Sequence, residues 1–337
     1  MSDKKHIVVI GGGPAGCVAA ERLSRLGFRV SIVEKECELG GNLNNWDRLF
    51  PDGKRASEMV TKLVNDVKMA DVAVWTDVEP IEAKRVENGF TILLSDKSLL
   101  FADAVMLTTG FAPFNAIRKE EYGYGIYRNV TTSVELENMI QAHIVPDTVS
   151  RVGMVHCVGS RDEKCGNMYC SKVCCITAVK QAIELKQMLP NAEIFCFYMD
   201  MRMFGPGYEE LYREAQERYG IKFVRGRVSE ASEDSEGRVA IKVEDTLVGR
   251  PMRMKLDRLV LMVGMEPSAG TRSVAELLGV KTKVNGFIQG GDPHIAANQT
   301  NVPGVFVAGT ATAPMNSTDT LNDACAAAFQ VANYLNG

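Results

Sequence analysis

His6 to Ile10 is an apolar run that stops at Gly11-Gly12-Gly13-Pro14-Ala15-Gly16, after which Cys17 to Leu26 repeats apolar residues at helical spacing. Strand, tight turn and helix within so few residues leave the chain little choice of fold. Gly11 permits the turn, Gly13 lets the backbone approach a pyrophosphate, and Gly16 lets helix and strand pack closely, with the helix N-terminus facing the phosphates. A second strand, Val30 to Val33, ends in Glu34, placed to accept hydrogen bonds from an adenosine ribose. Pro14, Ala15, Lys35, Gly41 and Asn42 join Gly11, Gly13, Gly16 and Glu34 as candidate cofactor-binding residues.

Two later segments complete the pattern. Val105 to Pro113 is a strand ending in the turn Thr109-Gly110, similar to the short motif near the pyrophosphate in flavoproteins with two dinucleotide domains. Thr300 to Gly309 resembles the segment that returns the chain to the flavin and there usually ends in Gly-Asp. Here Thr310 follows Gly309, which moves the ribityl contact to its hydroxyl, the backbone or a neighbour. A helix from about Leu321 to Tyr334 would aim its N-terminus at the flavin, a dipole effect of about 0.3 to 1 kcal/mol. FAD is the expected cofactor.

Arg151 to Val155 begins a second nucleotide-binding unit, but its turn is His156-Cys157-Val158-Gly159-Ser160-Arg161, with a single glycine. A helix from about Ser171 to Met188 and a strand Glu193 to Tyr198 follow. Leu259 to Pro267 mirrors the turn at Gly110, so the duplicated architecture is kept while the second nicotinamide fingerprint is lost. Lys222 to Val224 and Arg238 to Val243 are expected to form a small sheet around a polar turn, Ser229 to Gly237. The expected division is residues 1–115 and 284–337 for the FAD domain and 116–283 for the degenerate second domain.

Five of nine cysteines lie between Cys157 and Cys175, in C-x7-C-x4-C-x3-C-C. Thiolates so close repel one another unless a metal or disulfide takes up the charge, and adjacent Cys174 and Cys175 are poorly suited to pairing with each other. Cys170, Cys174 and Cys175 fall on or beside a helix N-terminus, where the dipole favours thiolate, and Cys157 ends a neighbouring strand. Together these four can close around a four-iron cube with Cys165 spare, although five thiols for four places do not force that choice. Zinc would call for C-x2-C knuckles, and none is present. Cys17, Cys37, Cys196 and Cys325 read as packing residues.

A length of 337 residues, 46% hydrophobic and 24% charged, suits two globular domains. A net charge of -4 without long like-charge blocks offers no footprint for nucleic acid. No apolar run approaches the roughly 20 residues of a membrane span. The odd, bunched cysteines do not match a secreted disulfide framework, and a cytoplasmic location is expected.

The C-x12-C-x3-C-C motif from Cys157 to Cys175, the stretch Gly159-Ser-Arg-Asp-Glu-Lys164 and the segment from Arg202 to Glu210 resemble the heterodisulfide reductase HdrA family and its shorter relatives in sulfur-oxidising bacteria. The likeness covers almost the whole chain. It implies an α/β fold of two dinucleotide-binding domains, thioredoxin-reductase-like, with the second degenerate and carrying an iron-sulfur site. It further implies FAD, one [4Fe-4S] cluster on Cys157, Cys170, Cys174 and Cys175, a homodimer, and B- and C-type partner subunits. Lys180, five residues after the double cysteine, falls where the family places a lysine near flavin N5, a candidate catalytic residue. The chain shows no C-x2-C-x2-C-x3-C run, the mark of additional clusters in the long methanogen form, and its shortness resembles the sulfur-oxidation version. The expected function is electron relay between flavin, cluster and partner subunits. The alternatives are a stand-alone NAD(P)H-dependent disulfide reductase and a structural metal-binding subunit.

Overall fold

The computed structural model describes residues 4–337. They divide into two compact units, the first made of the residues up to Asn44 with Ala56–Ala112 and Glu266–Gly337, the second of Asn45–Arg55 and Pro113–Met265.

The first unit is built on a five-stranded parallel sheet. His6–Ile10 lies at its centre, with Arg29–Val33 and then Ala73–Trp75 on one side, and Ala104–Leu107 and then Val305–Val307 on the other. All five residues of the central strand are buried, which explains an uninterrupted apolar run where a half-exposed strand would alternate. An antiparallel sheet of Pro80–Val86, Gly89–Leu94 and Leu99–Ala102 intervenes in sequence before Ala104–Leu107. Its Phe90, Ile92 and Leu94 share one core with Val8, Ile10, Val105 and Leu107.

The first helix is Pro14–Arg25, beginning three residues before the apolar periodicity because Pro14 occupies the first turn, where no N–H is needed. Its entry is set by what glycine lacks. A Cβ on Gly16 would lie 1.9 Å from the Gly11 carbonyl oxygen and 2.9 Å from Thr108 Oγ1. Gly11 itself sits at φ 108, which side chains rarely permit.

The second unit repeats this plan. Arg151–Val158 is central, flanked by Glu193–Tyr198 and Lys222–Arg225 on one side and by Arg258–Val263 and Val130–Thr132 on the other, all parallel. Its antiparallel sheet of Val228–Glu233, Val239–Asp245 and Arg250–Leu256 falls at the same place in the order as that of the first unit. The expected polar turn Ser229 to Gly237 is therefore mostly strand, one whose residues after Val228 are half-buried or exposed, and Lys222–Arg225 joins the parallel sheet instead. Arg250–Leu256 went unread, although Met252, Met254 and Leu256 alternate inward with period two.

The unit boundary falls at Met265, where the sequence suggested residue 283. The helix Ala269–Leu278 accounts for the difference, since Val274 and Ala275 pack into the core of the first unit. Residues 45–55 belong to the second unit. The last helix, Ser317–Asn336, starts four residues before the expected Leu321 because Asn316 caps it through the Asp319 N–H.

Gly16→Ala should destabilise the first unit by about 1 to 3 kcal/mol, because the new methyl group overlaps backbone. Gly13→Ala, with nothing nearer than 4.0 Å to its Cβ position, should cost no more than about 1 kcal/mol. Urea unfolding of the two variants checks the contrast.

Candidate dinucleotide and cysteine sites

In the first unit the expected cofactor residues gather around the N-terminus of Pro14–Arg25. That terminus has Gly13 as its cap residue and no side-chain cap, leaving its N–H groups free for an anion. Gly41, at φ 55, passes so close that its Cβ would be 3.0 Å from Gly13 Cα. Asn42 donates to the Phe111 carbonyl at 2.9 Å, tying the 41–42 turn to the strand end after Gly110. The Ala15 methyl would lie 2.8 Å from a Cβ on Gly309, so Gly309 lets the returning segment reach the helix, and Gly110 faces the Thr310 hydroxyl.

Other expected residues are engaged differently. Glu34 accepts from the Gly12 and Glu36 N–H groups, at 2.5 and 2.9 Å, and so braces the glycine turn itself, while each oxygen keeps a further lone pair. Thr109 bonds Thr271 Oγ1 at 2.7 Å, and Lys35 is exposed and paired with Glu36. Sequence reasoning missed Asp323, which accepts from the Gly309 N–H at 2.6 Å and from Asn298 at 2.9 Å. It supplies an acid beside the turn from the last helix, where the usual position holds Thr310.

In the second unit, the turn after the central strand delivers a thiol. Register with Arg258–Val263 shifts between Val155 and Val158, and Cys157 stands at φ 59, a left-handed conformation costly for a residue with a side chain. Arg161 and Lys172 are also left-handed, at φ 53 and 59. The helix begins at Cys174, three residues later than expected, so Cys170 lies in the preceding loop, where its sulfur accepts from the Lys172 N–H at 3.3 Å.

The Cys157 and Cys174 sulfurs are 3.7 Å apart, and Cys175 Sγ lies 3.7 Å from the Asp200 carbonyl. The Cys174 thiol lowers both Cys157 and Cys175 by hydrogen bonding and is itself driven well up by those same two neighbours. Burial pulls the His156 imidazole down, but the thiols of Cys175 and Cys196 outweigh it and hold it raised. The Arg161 guanidinium, bonded to Asp200 at 2.6 Å, feels the charge of both Cys157 and Cys170. Among the described residues no three His, Cys, Asp or Glu side chains stand ready to hold a metal ion as they are placed. Cys165 is half-buried with its thiol pushed up by burial. Cys17 and Cys196 are buried as expected, whereas Cys37 is exposed and Cys325 half-buried, so these two are not core residues.

Lys180 is buried and bonded to Glu137 Oε1 and, at 3.2 Å, to the Arg48 carbonyl. A Thr132–Glu135 capping box starts the helix Ser133–Gln141 that presents Glu137.

Residues 9–62 match the NAD(P)-binding Rossmann-like domain family and residues 176–329 the pyridine nucleotide-disulphide oxidoreductase family. The HdrA-type iron-sulfur protein of the CoB–CoM heterodisulfide reductase of Methanocaldococcus jannaschii is 33% identical, over 97% of this chain and 64% of its own length. The corresponding HdrA protein of the H(2)/formate:CoB-CoM heterodisulfide,ferredoxin reductase of Methanococcus maripaludis is 42% identical with the same coverage. The chain belongs to the heterodisulfide reductase HdrA family. It spans a little under two thirds of the length of these curated relatives. The fold of this HdrA-family chain is that of thioredoxin reductases, with TM-scores of 0.68 to the T. acidophilum enzyme (21% identical, 99% of each chain) and 0.69 to that of Lactococcus lactis (18% identical, 98% and 99%). The first unit is thus a dinucleotide-binding domain of flavoprotein type. No helix among the described residues is long and apolar enough to cross a membrane.

The stretch from Gly159 to Lys164, one of the marks of the resemblance to the HdrA family, is organised by Asp162. Its carboxylate accepts from buried Lys119 at 2.7 Å, Arg227 at 2.9 Å and the Lys164 N–H at 3.1 Å, and its backbone exchanges hydrogen bonds with Asn167. Asp162→Ala leaves buried Lys119 with Glu121, at 2.6 Å, as its remaining carboxylate partner and strips Arg227 and the Lys164 N–H of theirs, and should cost about 1 to 3 kcal/mol in urea unfolding. A loss below about 1 kcal/mol would show that the loop is held by other means.

Proposed function

We propose that this chain is the FAD- and [4Fe-4S]-dependent oxidoreductase component of a heterodisulfide reductase-like complex. In this reading it is a homodimer that relays electrons to B- and C-type partner subunits in cytoplasmic sulfur oxidation. One observation carries the reading. At the turn where the first unit offers glycine to a pyrophosphate, the second unit offers the Cys157 thiol, drawn to the thiols at the start of the next helix.

Bound FAD would take up electrons in pairs and the cluster would pass them on singly. The residue types suit both groups, and for a cluster the thiols would close in from where they now stand. Gly13, with its open face, and the uncapped helix N-terminus suit the pyrophosphate, and Thr310 with the Gly309 turn suits the ribityl side. Gly11 and Gly16 allow the close approach, while Pro14, Ala15, Gly41, Asn42, Thr109 and Gly110 line or brace the site, and Glu34 remains the ribose acceptor beside Lys35. For the cluster the donor set is entirely thiol: Cys157, Cys174 and Cys175 converge, and Cys170 shares the Arg161 guanidinium with Cys157. That guanidinium offsets thiolate charge in a buried setting. Lys180 is the candidate catalytic residue, held in place by Glu137.

The reading without a second nicotinamide is supported by the lone glycine of the second unit's turn: a Cβ on Gly159 would lie 2.1 Å from the Phe114 ring, whereas Gly13 of the first unit has an open face.

Anaerobically purified protein should contain about four irons per chain and flavin absorption bands. It should give a reduced-cluster EPR signal with dithionite and not bleach with NADH. Cys170→Ala should lose the iron and keep the flavin. Zinc in place of iron would favour a structural metal, and prompt bleaching by NADH a disulfide reductase.

A further inference from the structure

Two buried carboxylates compete for one ammonium at Lys180, and they are treated unequally. Glu137, 1% exposed, is fully compensated. Its Oε1 pairs with Lys180 and accepts from the Asp47 N–H at 3.1 Å, and its Oε2 accepts from Gln181 Nε2 at 2.7 Å. Glu184, one helical turn beyond Lys180 and 8% exposed, has its Oε2 3.3 Å from Lys180 Nζ, yet neither of its oxygens accepts a hydrogen bond. Lys180 spends two of its three donors on Glu137 and the Arg48 carbonyl, and the remaining one makes no aligned hydrogen bond to Glu184.

A buried carboxylate without hydrogen bonds is expensive as an anion and cheap as a neutral acid. Of two carboxyls whose surroundings differ this much, the one without hydrogen bonds is the one suited to carry a proton. We propose that Glu184 is a positioning residue that stores a proton behind Lys180 and restores the ammonium whenever Lys180 gives up a proton. The inference rests on the reading of Lys180 as the residue that acts during flavin reduction.

The step balances as follows. With two electrons supplied by a dithiol, a persulfide or added dithionite, one proton leaves Lys180 Nζ toward the group being reduced. The Glu184 proton moves to Nζ, and Glu184 ends as a carboxylate paired with the restored ammonium. Reoxidation returns the proton by the same route. The charged groups facing Glu184 are Lys180 on its own helix, Glu137 on the helix Ser133–Gln141 and Asp47 from the 45–55 segment. Burial first, then Glu137 and Asp47, raise the Glu184 carboxyl to about 7 against the pull of Lys180. It is therefore neutral below that pH and an anion above it, the range in which a cell can both load and unload it.

The test uses the full chain loaded with FAD, comparing wild type, Glu184→Gln and Glu184→Asp. Infrared difference spectra should show a protonated-carboxyl C=O band at pH 6 that is lost by pH 8. It should be absent from Glu184→Gln and retained by Glu184→Asp. The plot of flavin midpoint potential against pH should bend near pH 7 in wild type, and Glu184→Gln should lose the bend. Absence of the band from wild type, or a bend that survives Glu184→Gln, would overturn the proposal. Protein that shows no flavin absorption after loading would instead sink the functional reading and the relay with it, while the infrared band still reported on Glu184 itself.

Discussion

Much of the first unit depends on one missing side chain. Because Gly16 has no Cβ, the helix Pro14–Arg25 can lie against the Gly11 carbonyl. Its uncapped N-terminus then comes to rest where Gly41 and Gly309 can also close in. Three backbone segments distant in sequence meet at one helix end, each through a glycine. The result is a surface rich in N–H donors and poor in side chains, the environment in which a polyanion can be gripped without being crowded.

The second unit keeps the sheet and changes what closes the turn. Backbone-to-backbone contact gives way to charge. Asp162 is clamped by Lys119 and Arg227, and Glu137 gathers Lys180, Gln181 and the 45–55 backbone. Buried ion pairs of this kind add little net stability compared with apolar packing, but they punish any wrong arrangement severely. They suit a loop that must hold several thiols in fixed places. Cys157 in a left-handed conformation at a sheet irregularity shows that the placement is maintained against a local preference.

Local pattern explains what could be read in advance. The first strand, glycine turn and helix were legible because each is a short-range signal with a strict period, and the thiol positions because cysteine is rare. The strand Arg250–Leu256 was legible too and was missed, its Met-Arg-Met-Lys-Leu alternation being outweighed by exposed, charged residues. Asp323, Asp162 and Glu137 were not legible in this way. Their partners lie 14, 43 and 43 residues away, and no periodicity links a carboxylate to a donor at such a distance. Glu184 alone among the missed carboxylates carried a sequence clue, its spacing of four from Lys180 on a helix. The collapse of Cys157 onto Cys174 was implied by the motif only as proximity, since the left-handed Cys157 that directs it belongs to the backbone.

The excursion of residues 45–55 into the second unit makes chain continuity and structural unit different things. The stretch from Pro113 to Met265 carries every cysteine of the cluster, yet the Asp47 amide and the Arg48 carbonyl that complete the Glu137–Lys180 site arrive from a segment encoded far upstream. Evolution could not have transplanted this cysteine-bearing module as one uninterrupted piece of gene without leaving Glu137 and Lys180 incompletely bonded. The two units have therefore been bound to a shared inheritance, whatever partners each has acquired.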